Sequence, residues 1–119
     1  MWRLREILRR GARVVRVEDI PQALEQLAAE PFAAAFADWS FHGGTWREAL
    51  ERLGALYPEL PVVVVSRTNG IEEGIQEWAE VVAAGAFDLL LSVRNEAAVL
   101  SILAHAVASS EARALRAIA

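Results

Sequence analysis

The sequence predicts an α/β domain built on a parallel sheet with helices on both faces. Three observations predict it. Short apolar runs at residues 32–37, 62–65 and 87–91 have the length and composition of strands buried on both sides. The segments between them carry apolar residues at helical spacing, and alternation of the two kinds implies parallel strands joined by right-handed crossovers. The first run stops at Asp38, which places a carboxylate at the carboxyl end of its strand. In open α/β sheets that edge is where ligands bind.

The elements follow in order. Residues 2–10 read as a helix with Leu4, Ile7 and Leu8 on one face, and Gly11 can end it. Residues 13–17, RVVRV, are β-branched and alternating and read as a strand. Asp19 can cap the next helix, with Pro21 in its first turn and Ile20, Leu24, Leu27 and Ala28 on its apolar face. Pro31 stops it, and the strand ending in Asp38 follows. Residues 39–44 read as a loop. Thr45 and Glu48 form a capping-box pattern for a helix with Trp46, Leu50, Leu53 and Tyr57 at helical spacing. Residues 58–61 form a turn before the strand 62–65, which ends in Ser66. The next helix carries Ile71, Ile75, Trp78 and Val82 along one face and ends at Gly85; Gly74 inside it costs roughly 1 kcal/mol relative to alanine. The strand 87–91 ends in Ser92. Asn95 can cap a long last helix with Val99, Ile102, Leu103, Ala106 and Val107 on its face, continuing through Leu115 and Ile118.

Composition narrows the function classes. The 119 residues, 55% hydrophobic and 24% charged, suit one globular domain. There is no cysteine, which excludes disulfides, thiolate metal sites and thiol nucleophiles. All twelve basic residues are arginine, so lysine chemistry is excluded as well. A net charge of −4 argues against nucleic acid as a direct partner. The charged start is no secretory signal, and no apolar run approaches the roughly 20 residues of a membrane span. The expectation is a soluble, cytoplasmic protein. Arginines 3, 5, 9, 10, 13 and 16 crowd the start, while Glu72, Glu73, Glu77 and Glu80 crowd a later helix. These read either as solvated faces or as complementary patches for self-association.

The order and spacing of four segments resemble the receiver domain of bacterial response regulators, the CheY-like, flavodoxin-like three-layer sandwich. FAAAFADWS resembles the family's phospho-accepting strand, which puts Asp38 at the phosphoacceptor position. FHGG resembles the hydrophobic-Pro-Gly loop after it, with His42 in place of proline. PVVVVS resembles the fourth strand, which gives Ser66 the role of the switch hydroxyl. GAFDLLLSV resembles the approach to and passage through the fifth strand. The resemblance covers nearly the whole chain as a single receiver-like domain, residues 1–119, truncated at its start relative to the family.

The departures bear on chemistry. The family opens with a strand ending in two acidic residues that help hold Mg²⁺; here the first acid is Glu6. Where the family has an aromatic residue, then lysine and proline, this chain has Leu89, Ser92 and Val93. Transfer of a phosphoryl group to a carboxylate needs cations to offset the charge. The resemblance leaves only Asp38 and the backbone carbonyl of Ser40 as Mg²⁺ ligands, so a weak site at best is expected. Arg67 or Arg94 could reach in from neighbouring loops. With the first strand missing, four strands are expected. The unpartnered edges then have three outcomes: direct pairing of strand 13–17 with the Asp38 strand, homodimerisation, or a coding region that begins upstream. Dimerisation is the favoured expectation.

Three functions follow. The first is a phosphorelay receiver taking phosphate on Asp38 from a sensor histidine kinase, not an enzyme in its own right. The second is a pseudo-receiver that signals by protein–protein binding alone, through the acidic helix and the last strand and helix. The third is a small hydrolase using Ser66, His42 and Asp38, although VVVVSRT carries no Gly-x-Ser-x-Gly elbow. His42 and the distant His105 make a poor metal pair. Trp2, Trp46 and Trp78 fall on apolar faces and read as core or interface. Trp39 reads as an exposed ring beside Asp38.

Overall fold

The computed structural model describes residues 2–66, 71–90 and 96–118, with side chains over 4–66, 73–90 and 96–110. The chain runs α1 (Trp2–Leu8), α2 (Ile20–Ala29), β1 (Ala35–Asp38), β2 (Ser40–Phe41), β3 (Gly44–Thr45), α3 (Trp46–Leu56), β4 (Val62–Val65), α4 (Ile71–Ala83), β5 (Asp88–Leu90) and α5 (Glu96–Ile118). The main sheet is parallel, in the order β1-β4-β5. A small antiparallel ribbon joins β2 to β3, with Gly43 at φ 82° in its turn, a conformation that costs a β-carbon-bearing residue energy.

β4 organises the three layers. All four of its valines are buried, and their alternation sends them to opposite faces. Val63 and Val65 pack with Leu90 against Leu4, Ile7 and Leu8 of α1 and Val99 and Leu103 of α5. Val62 joins Ala37 against Ile20, Ala49 and Leu53 from α2 and α3. Val64 packs with Leu89 against Trp46 and Val81. This two-sided burial is why the strand reads as an unbroken apolar run.

Local signals set the helix ends. Asp19 caps α2 as expected: its Oδ1 accepts the Gln22 backbone N–H at 2.9 Å. Thr45 occupies the N-cap position of α3 but makes no side-chain capping bond, so the expected capping box does not form. Gly85 ends α4 at φ 102° and its N–H donates to the Val82 carbonyl. The long last helix forms, at 23 residues. Arg10 ties the end of α1 to Glu96 at the start of α5, and that carboxylate raises the guanidinium pKa above its usual value.

Further expectations are corrected. Residues 13–17 form no strand, so the parallel sheet has three strands among the described residues and not four. A strand needs an adjacent backbone to pair with, and this segment lies across a cavity from β1. The second correction concerns α4. Of its expected apolar face, Ile75, Trp78 and Val82 point away from the sheet at 63%, 49% and 37% exposure, the side chain of Ile71 lies outside the described residues, and Gly74 and Val81 are buried instead. Gly74 and Val81 are seven residues apart, two helical turns, and it is that narrow stripe which meets the sheet. α1 also ends earlier than expected, at Leu8 rather than Arg10. The expected cap Asn95 and the end of the strand at Leu91 and Ser92 fall outside the described residues.

Candidate functional site

The carboxyl edge of the sheet gathers the residues singled out in the sequence. β1 and β4 pair in register, Ala35 with Val62 through Asp38 with Val65. Asp38 therefore ends β1 level with the end of β4, and Ser66 follows one position beyond. The Ser66 backbone N–H donates to the Leu90 carbonyl at 2.9 Å, fixing this residue between β4 and β5. Asp38 is half-buried, and Ser40 stands two residues on, in β2. His42 is exposed in the turn between β2 and β3, and His105 is exposed on α5.

The Ser66 hydroxyl donates a hydrogen bond to Oε1 of Glu77 on α4. Hydrogen bonds to a carboxylate are among the stronger ones. This bond links the end of β4 to the helix whose outer face carries Trp78. Sequence reasoning does not single out Glu77 as a site residue. It sits midway between Gly74 and Val81, and that seven-residue spacing of small and apolar positions is the signal that could have found it.

Trp39 is half-buried, not the exposed ring expected from sequence. It packs on Trp46, ring centroids 5.3 Å apart and tilted by 43°. Its carbonyl accepts the Trp46 N–H at 3.2 Å, so the β2–β3 ribbon folds this ring back onto the start of α3. Trp46 is buried, as expected, and the Arg47 guanidinium lies 4.6 Å from its ring centroid while also pairing with Glu80 of α4. The side chain of Trp2, and Arg67, Ser92, Val93 and Arg94, lie outside the described residues.

Mg²⁺ is the metal the resemblance implies at this edge. That ion demands near-octahedral oxygen ligation. Among the described residues no three His, Cys, Asp or Glu side chains converge to hold a metal ion. Asp38 and Glu77 both bring carboxylates to this edge, beside its backbone groups and hydroxyls.

The likenesses to known proteins are structural. No protein-family model matches the chain, and no curated protein matches it. The receiver domain of NtrX from Brucella abortus is similar at a TM-score of 0.71 and 21% identity, over 87% of this chain and 86% of that one. NtrX from the same organism in complex with ADP is similar at a TM-score of 0.73 and 20% identity, over 96% of this chain. This chain spans 25% of that longer structure. The fold is that of a receiver domain: a parallel sheet with helices on both faces. No helix among the described residues is long and apolar enough to cross a membrane.

Proposed function

We propose that this chain is a receiver-type signalling domain with Asp38 at the phosphoacceptor position. The observation that carries it is the register of β1 and β4, which sets Asp38 and the residue before Ser66 side by side at the carboxyl edge. The donor partner is a sensor histidine kinase or another signalling protein. A carboxylate oxygen of Asp38 displaces the imidazole of a phosphohistidine; the N–P bond breaks as the O–P bond forms. Mg²⁺ is bound weakly at best, by the Asp38 carboxylate and the Ser40 carbonyl, and holds no resident place there. The domain passes on a signal and turns over no substrate of its own. It works in the cytoplasm, without direct contact to nucleic acid or membrane, and self-associates as a homodimer.

A second reading is favoured by the bond between Ser66 and Glu77. A switch hydroxyl engaged by α4 suits a pseudo-receiver, a binding module that signals without phosphorylation. Beryllofluoride with Mg²⁺, an acyl-phosphate mimic, separates the two, with tryptophan fluorescence as readout because Trp39 adjoins Asp38. A saturable change that vanishes in Asp38→Asn supports phosphorylation. No change in folded protein replaces that reading with the pseudo-receiver.

A further inference from the structure

Parallel pairing of β1 with β4 sets Asp38 beside Val65, and Ser66 stands one residue further along the same edge. Neighbouring strands run about 4.8 Å apart, which brings a group added to the Asp38 carboxylate within reach of the Ser66 hydroxyl. That hydroxyl is engaged elsewhere. It donates to Oε1 of Glu77 on α4, across a partly buried contact. A serine hydroxyl has a single hydrogen to donate. Given to Glu77, it is not available to an oxygen at Asp38. A phosphoryl group there brings three strong acceptor oxygens, and Glu77 is their rival for the same hydrogen.

The surroundings confine this competition to the hydroxyl itself. The Ser66 N–H donates to the Leu90 carbonyl at 2.9 Å, so its backbone is held between β4 and β5 and only the side-chain torsion turns. α4 is anchored apart from this bond. Val81 packs with Val64, Leu89 and Trp46, and Glu80, on the turn after Glu77, pairs with Arg47 of α3. Two fixed elements therefore share one rotatable hydrogen. A carboxylate that loses a charge-assisted donor in a partly buried place carries a desolvation penalty. Filling the Asp38 site works against the bond to α4, and by linkage the bond to α4 works against filling the site.

We propose that Glu77 is a latch on the acceptor site: by holding the Ser66 hydroxyl it lowers the site's affinity for a phosphoryl group, and a phosphoryl group on Asp38 in turn draws the hydroxyl off Glu77 and loosens α4. No proton changes owner; Ser66 keeps its hydrogen, and only the acceptor of that hydrogen changes. Glu77 is a positioning residue, since it acts through Ser66. This inference rests on the phosphoacceptor reading of Asp38.

The test titrates beryllofluoride with Mg²⁺, read by tryptophan fluorescence, into the wild-type chain, Glu77→Ala, Glu77→Gln, Ser66→Ala and the double variant Glu77→Ala with Ser66→Ala. Glu77→Ala is expected to bind the mimic at least fivefold more tightly than wild type. Glu77→Gln, whose amide oxygen still accepts from Ser66, is expected within about twofold of wild type. With Ser66→Ala in place, Glu77→Ala is expected to change affinity by less than about twofold, because the latch has nothing left to hold. Amide hydrogen exchange on the unaltered chain gives an independent arm: saturation with the mimic should speed exchange over residues 77–83 of α4 at least threefold. Four results overturn the proposal: equal tightening by Glu77→Ala and Glu77→Gln, which would reduce Glu77 to a negative charge near an anion; tightening that survives Ser66→Ala; unchanged or weaker binding in Glu77→Ala; or α4 exchange that stays the same at saturation. No saturable change in any of the proteins, Glu77→Ala included, removes the phosphoacceptor reading and this inference with it. The exchange arm stands even if Glu77→Ala fails to fold.

Discussion

The bond from the Ser66 hydroxyl to Glu77 joins the end of β4 to α4, eleven residues on. It is partly buried and charge-assisted, so Ser66→Ala, which strands Glu77 without its donor, should cost about 1–3 kcal/mol. Urea unfolding should show a lower midpoint with an unchanged slope, and Ser66→Thr should recover most of the loss. An unchanged midpoint in Ser66→Ala would mean that the hydroxyl does not hold α4 in solution. The position of Ser66 is legible in the sequence, and so is that of Asp38. Each follows an apolar run, the end of the run marks the edge of the sheet, and both sit there. The partner of Ser66 is not legible from the residues around it. Nothing local to Ser66 announces Glu77, because the bond depends on which face α4 turns to the sheet.

At the scale of elements, capping separates a signal that works from one that does not. Asp19 and Thr45 both stand at N-cap positions with extended backbone. Only Asp19 accepts a backbone N–H, from Gln22. Asp19→Ala should therefore cost about 1 kcal/mol and Thr45→Ala only a few tenths, read as the difference between two urea midpoints. Equal losses would contradict the geometry. Glycine offers a second contrast. Gly85 at φ 102° ends α4 with a backbone that other residues avoid, so Gly85→Ala should cost roughly 1–2 kcal/mol, whereas Gly54→Ala within α3, where a new β-carbon meets nothing, should stabilise by up to about 1 kcal/mol. The segment RVVRV shows the limit of local propensity. Its alternation favours a strand, but pairing is a property of two backbones, and here the neighbouring position is a cavity. The valine run of β4 is legible because burial on both faces leaves its mark on every residue.

For the whole molecule, the sheet can be read from the sequence more readily than its surroundings. Runs and breaks are enough to find β1, β4 and β5 along the chain, while the rotation of α4 is set by how closely the helix approaches the sheet. With Gly74 and Val81 inward, Ile75, Trp78 and Val82 form an exposed apolar stripe along α4. Glu73 and Glu80 are exposed on the same helix, and Glu80 is already engaged by Arg47. An apolar stripe of this kind on one helix favours association by burial more than by charge. The proposed homodimer should therefore use α4 and leave the cavity beside β1 open. Sedimentation of the wild-type chain at micromolar concentration should show a dimer that persists when salt rises from about 0.05 to 0.5 M, since screening acts on exposed charges and not on apolar burial. Trp78→Gln with Ile75→Gln should shift that protein to monomer while moving the unfolding midpoint little, because exposed positions change stability by only about 0.5 kcal/mol. If the dimer instead dissolves in salt, the arginines near α1 and the glutamates of α4 are the contacts. If the wild-type chain sediments as a monomer throughout, self-association is no part of its function, and the stripe on α4 belongs to a different partner.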